Sequence, residues 1–140
     1  MKNLLVCALF LISLPVHCEV TVDDFCFNSG GAKYIRVEMR KYYDNVLKWS
    51  GAYVRYEKSA TPISLVYAGS QAEMVERDRP FQLTEKWLEV SGNNISGEYE
   101  IFSQGANVYS MEYKNYASRK RFYFIQDSDV TPSSQAGCGW

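Results

Sequence analysis

Few side chains in this 140-residue chain have the types and spacing that chemistry asks for. Glu98 and Glu100 lie two apart, so on a strand their carboxylates point the same way. Two carboxylates about 5–9 Å apart can run glycoside hydrolysis, but one of them must then sit in surroundings that raise its pKa. No such apolar setting is evident here, and an exposed pair of glutamates is the ordinary reading. The only histidine, His17, falls in a segment expected to be removed. The working chain then lacks the commonest general base and metal ligand. A serine nucleophile would have no histidine partner and no Ser-x-x-Lys box, and a cysteine nucleophile would require breaking an expected disulfide. No catalysis, cofactor or metal site is expected.

Binding is a better use of the residues that remain. Ser96-Gly97-Glu98-Tyr99 leads into a strand, and Ser103-Gln104-Gly105 ends it. Turn glycines are common, so Gly97 and Gly105 can serve as turn chemistry alone. The sharper reading makes Asn93 to Glu98 a protruding polar loop that reaches into a partner's cleft. Loops of a meander alternate between the two ends of the sheet, which places these two motifs at opposite ends of one strand. Ser50-Gly51-Ala52-Tyr53 is a rival location for the same motif. Arg119-Lys120-Arg121 is a basic cluster beside a turn, read as a solvated edge with an anion site as the alternative. Asn94-Ile95-Ser96 is a glycosylation sequon that matters only in a eukaryotic host.

The elements that must hold these motifs are strands. Ile35, Val37 and Met39 alternate with Arg36, Glu38 and Arg40 across residues 32–43. Further strands are expected over 46–57, 63–67, 81–90, 98–102, 107–113 and about 120–125, with Gly51 inside the second as a bulge or bend. Residues 68–80 read as a charged excursion with one helical turn near Ala72. No run has a clean helical stripe. The chain is therefore expected to be all-β, a small antiparallel barrel or sandwich of about seven to eight strands. Eleven tyrosines suit sheet faces, with ring packed and hydroxyl wet.

The start, Lys2 followed by an apolar run from Leu4 to Leu14 and then Val16-His17-Cys18, has the layout of a cleaved secretory signal over residues 1–18. Residues 19–140 are then a single exported β domain, expected in the periplasm. Lipidation at Cys18 is the less favoured alternative, because His17 is a poor residue before such a site. Removing Lys2 leaves 14 basic and 16 acidic side chains, which gives no electrostatic reason to expect nucleic acid or an anionic membrane as partner. No second long apolar run exists, so no stable membrane insertion is expected. Cys26 and Cys138 then remain. In an oxidising compartment they are read as one disulfide tying the two ends, the alternative being two free thiols.

The layout resembles the bacterial periplasmic and membrane-bound inhibitors of c-type lysozyme. Those are small exported β-barrels with a disulfide joining a Cys near each end. They carry an SGxxY motif followed by a YxxxTKG-like motif. The similar elements here are Cys26, Cys138, Ser96-Gly97 with Tyr99, and Phe102-Ser103-Gln104-Gly105. Tyr99 follows Gly97 by two positions rather than three, a form closer to inhibitors of other lysozyme classes, and Gln104 stands where the family has Lys. The resemblance implies a protein partner, a lysozyme or other wall hydrolase, occluded by Ser96, Gly97, Tyr99, Ser103 and Gln104. An immunity protein against a secreted toxin, or a structural component of the envelope, are the alternatives. The sequence leaves the oligomeric state open.

Overall fold

A computed structural model describes residues 20–31, 34–133 and 135–140. The expected leader over residues 1–18 and the mature start at Glu19 lie outside them. The chain forms a closed eight-stranded antiparallel barrel, each strand hydrogen-bonded to the next and the last to the first. The strands are β1 (Val20–Asn28), β2 (Arg36–Asp44), β3 (Trp49–Tyr56), β4 (Ile63–Glu73), β5 (Gln82–Ser91), β6 (Asn94–Gln104), β7 (Asn107–Asn115) and β8 (Arg121–Gln126). This is the expected all-β fold in its barrel form. Two elements differ from the expectation: β1 is a strand that the alternation did not mark, and β4 continues to Glu73 through Ala72, where a helical turn was expected.

Alternation decides what the barrel encloses. Phe27, Val37, Met39, Val54, Leu65, Trp87, Tyr99, Ile101, Met111 and Phe124 point inward and are at most 4% exposed. Side chains of opposite parity face out. The closing seam is short: β1 meets β8 only at Phe27↔Gln126 and Asn28↔Ile125. The β2–β3 turn is built by Asp44, whose Oδ1 accepts from the amides of Val46 and Leu47 at 2.8 Å each.

Three bulges re-aim side chains. Between β4 and β5 the register moves from Tyr67↔Trp87 to Gly69↔Lys86, leaving Ala68 as the extra residue. Gly69 takes φ +121° there, a conformation open to glycine and costly to other residues. Between β5 and β6 the extra residue is Ser96, and between β6 and β7 it is Tyr109. The last of these turns Tyr109 outward, away from the face of Met111 and Tyr113 that simple alternation assigns it.

The segment after β8 folds over the outer face of β1 and β2. Cys26 and Cys138 are joined by the expected disulfide. Glu38, an outward residue of β2, is 1% exposed beneath this tail. It accepts from the Cys138 amide at 2.9 Å, from Arg55 at 2.8 Å and from the Tyr53 hydroxyl at 3.0 Å. Gly137 has φ +69°, and a Cβ on it would lie 2.2 Å from the Glu38 carboxylate. Only glycine lets the tail come down this close.

Candidate functional site

The structure separates the two sequence motifs. Ser96 lies at the start of β6 and Gln104 at its end, roughly 26 Å apart at the usual strand rise. Gln104 donates to the Pro80 carbonyl at 3.0 Å, and Ser103 sits half-buried beside it. These two therefore share no surface with Ser96. Ser103 and Gln104 thus lie at the opposite end of the 11-residue β6 from Ser96, as the alternation of loops in a meander requires, and the residues named for partner binding do not form one patch.

The Ser-Gly-x-Tyr motif itself is turned inward. Tyr99 is 0% exposed. Its ring stacks on Tyr113 at 4.4 Å, and its hydroxyl lies 3.1 Å from that of Tyr56 and donates to Glu89 at 3.3 Å. Burial, then Tyr56 and Glu89, push its phenol far above the ordinary range, so it stays a neutral donor. The expectation that Tyr99 offers its hydroxyl to a partner is corrected. Alternation places it on the face of Ile101, inside the barrel. Ser96, the bulged residue, donates to Glu89 Oε1 at 2.7 Å. Gly97 is buried where β7 crosses closely: a Cβ there would lie 2.6 Å from the Tyr113 ring and 2.7 Å from the Lys114 carbonyl. Gly97→Ala is therefore expected to lower stability by about 1–3 kcal/mol, measured by urea unfolding. An unchanged midpoint would show that β7 can yield.

Around this plug lies a polar end of the barrel. The amide of Tyr116 donates to the Ser96 carbonyl at 3.0 Å, which pins the β7–β8 turn beside the β5–β6 turn. Gly92, Asn93 and Asn94 are exposed on one turn, and Arg119 and Lys120 on the other. Lys58 is exposed on the β3–β4 connection at the same end. None of these three cations has an ion-pair partner among the described residues. The β5–β6 connection is a tight two-residue turn at Gly92 and Asn93 rather than the long protruding loop expected from residues 93–98.

Glu98 and Glu100 do face the same way, outward, but Lys86 bridges them at 3.4 and 3.2 Å. Lys114 and the Tyr116 hydroxyl also bond Glu98, at 3.2 and 2.8 Å. Partial burial opposes ionisation of Glu98, and Tyr116 with the two lysines outweighs it, so its pKa lies below the ordinary value. A general acid needs the opposite shift. The pair is an ion-pair ladder on the sheet surface.

The other end of the barrel carries the β6–β7 turn with Gln104, and Ser50 of the rival Ser-Gly-Ala-Tyr motif lines it, but no pocket was expected there. There the inward-facing positions change from apolar to polar. A cavity of about 640 Å³ opens, lined by Asp23, Lys41, Ser50, Tyr67, Glu85 and Trp87 among others. Lys41 donates to both oxygens of Glu85, at 3.2 and 3.0 Å, and the Trp87 indole N–H donates to Glu85 at 3.2 Å. β2 and β5 are not neighbours, so this ion pair crosses the lumen. Its signal in the sequence is parity alone: Lys41 has the parity of Met39, and Glu85 that of Trp87. No family model, curated protein or solved structure matches the chain.

Proposed function

We propose that this is an exported binding protein that blocks a wall-cleaving enzyme of the lysozyme type. Its contact surface on this reading is the end of the barrel bearing the β5–β6 and β7–β8 turns. The observation that carries the reading is the Tyr116–Ser96 backbone bond, which holds two short turns side by side with Arg119 and Lys120 free at the tip. A glycosidase cleft is built around two carboxylates. Uncompensated cations on a rigid support complement such a cleft and steer the encounter. Turns fixed before contact bind with little ordering cost. Asn93 and Asn94 add amide donors and acceptors beside them. Ser96 and Tyr99 serve the surface from beneath, by holding Glu89 and the turn in place. The closed barrel and the Cys26–Cys138 tie are what the resemblance to lysozyme inhibitors implies.

Purified protein comprising residues 19–140 is expected to slow cell-wall lysis by at least one lysozyme class at micromolar concentration. The double change Arg119→Glu and Lys120→Glu is expected to weaken that inhibition about tenfold or more at low salt. Absence of inhibition of every class removes the reading. Inhibition that the double variant retains in full moves the contact to another surface.

A further inference from the structure

From the polar mouth opposite those turns, we infer a second site, one that binds a neutral saccharide of one or two rings. The mouth is held open by the way the strands leave the barrel. β3 and β4 pair only from Gly51↔Val66 to Val54↔Ile63, whereas β4 and β5 stay paired out to Glu73↔Gln82. Beyond the bulge at Ala68 the β4–β5 ribbon thus departs without β3. On the opposite flank β1 and β2 stay paired out to Val20↔Asp44 after β8 has ended. Two ribbons flare, and the lumen between them is the cavity of about 640 Å³. That lies within the range of small-molecule sites, about 300–1,000 Å³.

The chemistry of the lining selects the ligand. Asp23 on β1 faces this lumen with no hydrogen-bond or ion-pair partner among the described residues. Glu85 is fixed from two sides by Lys41 and Trp87, so its lone pairs are aimed without further ordering. Ser50 and the Tyr67 hydroxyl add groups that both donate and accept. Tyr67 is 40% exposed and meets Trp87 edge-on at 5.0 Å, leaving ring surface toward the cavity. Donors and acceptors are thus interleaved beside aromatic faces. The lining holds two carboxylates, Asp23 and Glu85, against two ammonium groups, Lys41 and Lys48. Balanced charge gives no preference for an ionic ligand. A pyranose offers what the mouth lacks: vicinal hydroxyls for the carboxylates and a C–H face for the rings. A purely apolar ligand would leave Asp23 and Glu85 desolvated, which is costly.

The test is a titration of the purified protein with maltose, cellobiose and diacetylchitobiose, read by tryptophan fluorescence and calorimetry, with tetramethylammonium as a cationic comparator. Saturable binding of at least one of the sugars is expected. Asp23→Asn and Tyr67→Ala are each expected to weaken it about tenfold, Asp23→Asn with the thermal midpoint unchanged and Tyr67→Ala with the barrel still folded though its midpoint falls through the lost contact with Trp87. The Arg119 and Lys120 changes at the far end are expected to leave it intact. No saturation by any of the sugars at millimolar concentration overturns the site. So does binding that ignores both lumen variants, or a response to tetramethylammonium alone.

Discussion

Replacing Cys26 and Cys138 with serine is expected to cost about 4–5 kcal/mol, because the bond closes a loop with a sequence separation of 112 residues. The loop term is not the whole effect here. The seam between β1 and β8 has only two residue pairs. Beside it, the Asp127 amide donates to the Cys26 carbonyl at 2.8 Å. The disulfide therefore fastens the tail over the place where the barrel is least well zipped. Urea unfolding in the presence and absence of reductant measures the loss. The double variant is expected to unfold at a markedly lower midpoint than the oxidised parent, and reductant should bring the parent down to the same value. A variant within about 1 kcal/mol of the parent would mean that the seam and the tail hold without the bond.

Glu38→Ala is expected to cost about 3 kcal/mol. The carboxylate is 1% exposed and holds three donors. Its loss leaves the Cys138 amide and the Tyr53 hydroxyl without their acceptor. Arg55 retains 39% side-chain exposure and can turn to water, which keeps the cost toward the low end of values for broken buried pairs. The thermal midpoint should fall by about 10 °C. The same group makes stability pH-dependent. Burial opposes ionisation of Glu38, but the Cys138 amide, Arg55 and Tyr53 together outweigh it and hold its pKa below the ordinary value. The folded pKa lies below the unfolded one, so the unfolded chain takes up the proton first. The stabilisation is complete above the unfolded value and is lost as pH falls through the folded one, from about pH 4.3 downward. Glu38→Gln should flatten the acid limb of a stability–pH curve. Glu98, shifted the same way, should keep the part that remains. A variant with an acid limb parallel to the parent's would show that Glu38 does not set it.

Where one face met the core and the other met water, the strands were legible. Val37 and Met39, Ala52 and Val54, and Met111 and Tyr113 all fell inward as alternation requires. β1 was not legible as a strand, and the reason is its work. Of its inward residues only Phe25 and Phe27 reach the core, while Thr21 and Asp23 line a polar mouth, so the apolar half of the alternation is missing from its first part. The alternation that marks β4 stops at Tyr67, because residues 70–73 lie past the bulge, where both faces are wet. The burial of Glu38 had no periodic signal, since it depends on a tail folding back from a hundred residues away. Tyr99 is different. Its parity with Ile101 points inward in the sequence itself, and a short surface motif cannot override that parity on a strand.

The two-rung seam also fixes an order of events for a newly made chain. Each of the strands from β1 to β7 can pair with a neighbour that follows it within a few tens of residues, but the outer edge of β1 must wait for Ile125 and Gln126. Pairing over such a separation is slow compared with local hairpins. During that wait β1 is an unpaired edge, the kind of edge on which chains join one another. Asp23 and Asp24 sit side by side on it. Asp24 meets Arg40 as soon as β1 and β2 pair, and β8 covers only Phe27 and Asn28, so the negative charge of Asp23 guards this edge both before and after the ring closes.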